Sequence, residues 1–223
     1  MPDLGPLWLS LALACVTTLI LLALGTPLAW WLARTRSALK PAIEALTALP
    51  LILPPTVIGF YLLILLNPAS PIGHFWLSLT GDTLTFSFAG LVVASVIYSL
   101  PFMVQPLQSA FEGVGRGPME AADSLGASPL DAFFSVAVPL SVRGFLTASI
   151  LSFAHTIGEF GVVLMVGGSI PGRTRVISIA IFEEVETLNY HDAHLLSGGL
   201  IVFSFVTLLI VYSLNRRFRL HVG

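Results

Sequence analysis

Two ionisable side chains, His155 and Glu159, stand four residues apart inside an otherwise apolar run. On a helix that spacing puts both on one face. An ionisable group at membrane depth is costly, so it faces an aqueous path or a partner. Two roles are open for the pair: the wall of a pathway, or a lock between helices. Two ligands are too few for a zinc-type site. His191, Asp192 and His194 have a suggestive spacing, but no fourth ligand lies nearby, and they are read as surface loop residues. No catalytic residue and no metal site is assigned. Nucleotide chemistry of the P-loop kind requires a lysine in G-x-x-x-x-G-K-[ST]. The one lysine, Lys40, follows Leu39, so this chain cannot hydrolyse ATP alone.

The elements that must hold these groups are set by the solvent. The chain has 223 residues, 56 % hydrophobic and 10 % charged, against about 25 % charged in soluble domains. Its mean hydropathy is +0.92. That much apolar surface points to a bilayer. The net charge of −2 argues against a nucleic-acid partner. Cys15 is expected to be a small buried residue in an apolar run. The start holds Asp3 and no Lys or Arg, so the first apolar segment is expected to be a retained span rather than a signal peptide.

Five runs are long enough to span, at about 7–33, 43–66, 84–110, 145–166 and 195–214. They are continuous rather than alternating, which predicts helices and not a barrel. The piece at 176–182, before Glu183, Glu184 and Glu186, is too short to cross and is expected to be interfacial or partly re-entrant; some counts would make it a sixth span. Arg34, Arg36, Lys40, Arg116, Arg143, Arg216, Arg217 and Arg219 are eight of the ten cationic residues, and alternate crossing puts them on one side. The positive-inside rule makes that side cytoplasmic. The N-terminus and the 67–83 and 167–194 loops then face outward, with Arg173 and Arg175, and the C-terminus lies inside. No internal repeat is evident. Residues 1–223 read as one membrane domain, all-α and polytopic, with a cytoplasmic loop at about 112–140.

That loop is built differently from the rest. Pro118 suits a first helical position, and Glu120 and Asp123 lie where the helix dipole favours acids. Gly126 ends or bends this helix. Ser128 is expected to cap a second one, with Pro129 at its first position and Asp131 as a capping-box acid. Leu130, Phe133 and Phe134 give it an apolar face in need of a partner. Pro139 marks entry to the fourth span.

Glu120-Ala121-Ala122, then Gly126, Val136 and Val138-Pro139, resembles the EAA motif of the permeases of binding-protein-dependent ABC importers, with Val at the motif's Ile and Leu positions. The resemblance covers essentially the whole chain. LPLILPPTVIGFYLLILL at 49–66 and the run from Ile157 to Glu186 are similar to the molybdate permeases of that family. It implies a MetI-like helical bundle of type I importers. It implies coupling to an ATP-binding subunit through Glu120, Ala121, Ala122, Asp123, Gly126, Ser128 and Pro129. The implied partners are two ATP-binding subunits carrying ATP and Mg, an outer substrate-binding protein, a second copy of this chain and membrane lipid. The implied place is a prokaryotic cytoplasmic membrane, and the implied cargo an oxyanion, most of all molybdate.

Pro54, Pro55 and Gly59 in the second span predict a kinked helix, read as a path-lining gate, with a purely structural kink as the alternative. Glu159 would repel a dianion, so it is not expected to bind the cargo. Arg173 and Arg175 could attract the anion, dock a binding protein or be simply solvated. Tungstate or sulfate remain open as cargo. An ion-coupled secondary transporter would predict internal repeats and more buried charge. An intramembrane enzyme using His155 and Glu159 would predict further ionisable groups at their depth.

Overall fold

In a bilayer every backbone polar group must be satisfied internally, so continuous apolar runs become helices. The computed structural model describes residues 4–217, and the side chains of 211 and 214–217 lie outside the description, as does Arg219. Every regular element among the described residues is helical. The long elements are α1 (Gly5–Arg34), α5 (Phe88–Val114) and α12 (Tyr190–Arg217). At 1.5 Å per residue each is about 40 Å long or more, enough to cross a hydrocarbon core of about 30 Å.

The second span is not one kinked helix. It divides into α2 (Lys40–Ile52) and α3 (Pro55–Leu66), whose axes differ by 111°. Proline carries no N–H, so the pair at 54–55 removes two helical donors in succession, and Leu53 is left extended. The fourth span is broken as well. α9 (Val142–Gly158) stops at Glu159, which has extended backbone, and α10 (Gly161–Gly167) resumes after Phe160. Among the described residues three helices are long and apolar enough to cross by themselves, and the number rises to as many as five if each of two bent pairs, Lys40–Ile52 with Pro55–Leu66 and Pro129–Leu140 with Val142–Gly158, is one span.

The 67–83 loop holds a further helix, α4 (Pro71–Thr80). Ser70 Oγ caps it by accepting from Gly73 N at 2.9 Å, and Gly81 stops it at φ +75°. The short outer piece is α11 (Ile177–Glu186), too short to cross, and Ser10 of α1 anchors it by accepting from Ile177 N at 2.8 Å. His191, Asp192 and His194 belong to the first turns of α12 and not to a loop. Cys15 lies on the outer face of α1, exposed in the single chain rather than buried.

The core is a three-helix packing of α1, α5 and α9. At the Arg34 end, Leu21, Leu32, Met103, Leu107, Phe111 and Ala148 form its centre. At the Gly5 end, Leu13 and Leu91 meet Val163, Val176 and Ile179. α3 leans on α10 through Ile58, Leu62, Leu66, Val162 and Val166. Lys40 pairs with Glu112 at the Arg34 end of α5, whereas Leu66 packs on Leu84 at its other end. α2 therefore meets α5 at the Arg34 end, and the far end of α3 packs in the cluster that holds Leu84, just before α5 begins.

Candidate functional site

The loop between α5 and α9 folds into α6 (Gly117–Ser124), α7 (Pro129–Ala132), a π turn at Phe133–Ala137 and α8 (Val138–Leu140). α6 ends in a Schellman closure. Gly126 is left-handed at φ +85°, its N–H donates to Asp123 O at 2.9 Å, and Ala127 N–H donates to Ala122 O at 3.0 Å. Ser128 Oγ caps α7 by accepting from Asp131 N at 3.2 Å. The reciprocal half of the capping box is not made, because Asp131 Oδ1 instead accepts from Ser135 Oγ.

The expected contact surface divides in two. Glu120, Ala121, Asp123, Gly126, Ser128 and Pro129 are exposed, whereas Ala122 is buried in the loop's own core with Met119, Ala132 and Ala137. The close approach that a small residue permits is spent inside the knob at Ala122. Phe133 is turned inward. It meets Trp30 at 5.0 Å and Phe111 at 6.0 Å, and Phe111 meets Phe145 of α9 at 5.7 Å, so an aromatic cluster fastens the knob to the bundle. Leu130 and Phe134, four residues apart on one face, are 72 % and 65 % exposed, and Leu125 at the end of α6 is 90 % exposed. No sequence pattern marks Leu125, because it follows the last helical residue of α6 and belongs to no periodic face. Arg34, Arg116, Glu120 and Asp123 border a cleft of about 330 Å³ on the loop. Arg34 sits over the Trp30 ring at 4.7 Å.

The two span breaks touch. A Cβ on Gly161, just after the α9–α10 break, would lie 2.7 Å from Pro55 Cβ. One on Gly59 would lie 2.7 Å from Met165 Cβ and 3.4 Å from Val162 Cα. Both glycines are required for α3 and α10 to approach this closely. Pro54, Pro55, Gly59 and Glu159 are thus gathered at one place in the bundle, together with Gly161, whose sequence context gave no sign of its contact across to Pro55.

His155 and Glu159 do not pair. The helix ends between them, so the i, i+4 face expected of a continuous span is not formed. His155 Nδ1 shares a hydrogen bond with Ser99 Oγ of α5 at 2.9 Å, Ser99 Oγ shares another with Thr156 Oγ1 at 3.0 Å, and the imidazole stacks on Phe102 at 4.0 Å. His155 joins α9 to α5. Glu159 is 4 % exposed, and neither carboxyl oxygen has a hydrogen-bond partner within the chain. Among the described residues no group of three or more His, Cys, Asp or Glu is placed to hold a metal ion.

At the opposite end Arg173 pairs with Asp82 across 91 residues of sequence. The Thr83 amide, and then Arg173, hold the Asp82 carboxyl below the usual carboxylate range. Arg175 pairs with Glu183 at 2.7 Å and Glu184 at 3.5 Å, which accounts for two of the three acids at 183–186.

Residues 25–220 match the family model described as binding-protein-dependent transport system inner membrane component. The chain is 59 % identical over 217 residues to the molybdenum transport system permease protein ModB of Azotobacter vinelandii, covering 97 % of this chain and 96 % of that one. It is 34 % identical over 186 residues to the protein of the same name from Escherichia coli strain K12, covering 83 % and 81 %. Among solved structures it is similar to the MetNI methionine ABC transporter in an inward-facing conformation, with a TM-score of 0.74, 15 % identity and 95 % of this chain covered, a likeness of fold. Taken with the helical bundle and its exposed loop, these matches show that the chain belongs to the family of binding-protein-dependent transport system inner membrane components, the permeases of ABC importers.

Proposed function

We propose that this chain is the permease subunit of an ATP-driven importer that carries molybdate across a prokaryotic cytoplasmic membrane. The observation that carries it is the 59 % identity, over nearly its whole length, to a molybdenum transport permease. The loop supports the coupling role. It presents exposed apolar side chains, Leu125, Leu130 and Phe134, and the exposed acids Glu120 and Asp123. Such a surface fits a groove on a soluble motor. ATP and Mg belong to that separate subunit, since this chain has no P-loop lysine. Two copies of the chain would enclose one path, with a motor on each loop and a binding protein at the outer end. In this reading the Arg34 end is cytoplasmic and the N-terminus lies outside.

The geometry suggests how force would travel. The knob ends at Ser141, where α9 begins, and α9 runs directly to the break at Glu159. Phe133 in the aromatic cluster keeps the knob from moving separately from α1, α5 and α9. A displacement of the loops by motor closure would therefore reach the Glu159–Gly161 break, and through Gly161 and Pro55 the break in the second span. Tungstate has molybdate's charge and similar size, so permease contacts discriminate the two weakly, and selection falls largely on the binding protein.

The test is ATP-dependent uptake in proteoliposomes holding the permease, motor and binding protein, with molybdate, tungstate and sulfate in competition. Saturable molybdate uptake blocked by tungstate and not by sulfate is expected; sulfate uptake without molybdate uptake would reassign the cargo. Replacing Leu130 and Phe134 together by serine is expected to leave the helices intact, because both side chains are exposed. It should weaken motor binding by about tenfold or more, since buried apolar anchors dominate interface energies. Pull-down against motor concentration measures this, and unchanged binding would remove these two side chains from the interface.

A further inference from the structure

Glu159 sits where a carboxyl is hardest to accommodate. It is buried at the break between α9 and α10, inside the apolar bundle, with both oxygens unpartnered within the chain. The surrounding donors are committed elsewhere. Ser178 of α11 donates to the Glu159 backbone carbonyl rather than to its carboxyl. His155 and Thr156 are engaged with Ser99. The Ser95 hydroxyl of α5 is the donor nearest in place to the carboxyl, but the two stand outside good hydrogen-bonding geometry. Neutral or ionised, a carboxyl without partners is less stable here than in water. Nothing in the helix propensity of the segment requires it, and an apolar residue of the same length would fill the space without that cost.

A group that destabilises one conformation favours any other in which it is solvated. We propose that Glu159 is a positioning residue for the transport step: its burial without a hydrogen-bond partner in the chain biases the α9–α10 break towards a conformation in which the carboxyl meets an aqueous path. The break is the right place for such a bias. α9 is the helix that leads from the docking loop, and Gly161 rests on Pro55, so opening at Glu159 moves both broken spans together. A stable conformation would otherwise hold the loop's motion back. The inference rests on the permease reading above.

The experiment uses the complete transporter and three variants, E159M, E159Q and E159D. E159M conserves volume and removes the polar group. It is expected to raise the unfolding temperature of the detergent-purified complex by about 3 °C and to lower ATP-dependent molybdate uptake about tenfold. E159Q should lower uptake in the same direction, and E159D, which keeps the carboxyl, should stay within about threefold of wild type. A residue that merely holds helices together would move stability and uptake down together, so the opposite signs are diagnostic. In a C15A background, E159C should react with a hydrophilic thiol reagent faster when ATP and binding protein are present. A lower unfolding temperature for E159M, undiminished uptake, or labelling indifferent to ATP would each overturn the proposal. A wild-type complex inactive in uptake would overturn the permease reading itself, and the inference with it.

Discussion

Replacing Gly126 by proline is expected to abolish recovery of the motor subunit with this chain and, with it, molybdate uptake. Gly126 has φ +85°, and its N–H closes α6 on Asp123 O. Proline fixes φ near −65° and has no N–H, so the closure cannot form and α6 and α7 lose their relative placement. The effect is one of backbone alone. A Cβ at Gly126 would meet nothing within 4 Å, so no clash adds to the strain. That makes a graded series informative. Asparagine tolerates the left-handed region, and G126N should bind the motor nearly as well as wild type. G126A should cost about 1–2 kcal/mol of loop stability and show intermediate binding. Pull-down from detergent measures the series, with circular dichroism to check that the spans remain helical. Full recovery with G126P would exclude the α6–α7 knob as the docking element.

Much of this loop is visible in the residues themselves. Pro118, Gly126, Ser128 and Pro129 specify their own backbone, because a cap, a ring-fixed φ and a missing Cβ act within a few residues. The same local logic would have found α4, since Ser70, Pro71 and Gly81 are a cap, a first-turn proline and a stop. The lengths of α1, α5 and α12 follow equally from apolar runs that the bilayer must accept. What could not be read is what depends on neighbours. Pro54-Pro55 announces a disruption, but a bend of 111° is set by α3 leaning on α10. The break at Glu159 has no proline and reads as continuous helix. It forms because α10 redirects onto α3, and its only local trace is the glycine on either side, Gly158 and Gly161. Helical spacing pairs His155 with Glu159, and the break cancels that pairing. Whether Ala122 faces outward or into the knob turns on where Met119 and Ala137 pack, which no spacing rule within α6 decides.

Adding a single methyl group at Gly59 is expected to damage transport more than most changes in the spans, and to do so by separating α3 from α10. In G59A the new Cβ would lie 2.7 Å from Met165 Cβ and 3.4 Å from Val162 Cα. Neither atom is the free end of a flexible side chain, so relief requires the helices themselves to shift. Overpacking of this kind costs about 1–3 kcal/mol, and the unfolding temperature of the complex should fall accordingly. Uptake should fall further than stability, because the same seam joins the two broken spans and their relative position defines the path in this reading. The partner substitution separates steric cause from general damage. M165G alone leaves a cavity and loosens α10, so it is destabilising. In G59A/M165G the missing Cβ has moved from one helix to the other, and the two losses should compensate, with a coupling of about 1 kcal/mol or more in the double-mutant cycle. Additive losses would mean that α3 and α10 do not meet at these two residues, and the proposed transmission from loop to second span would lose its contact.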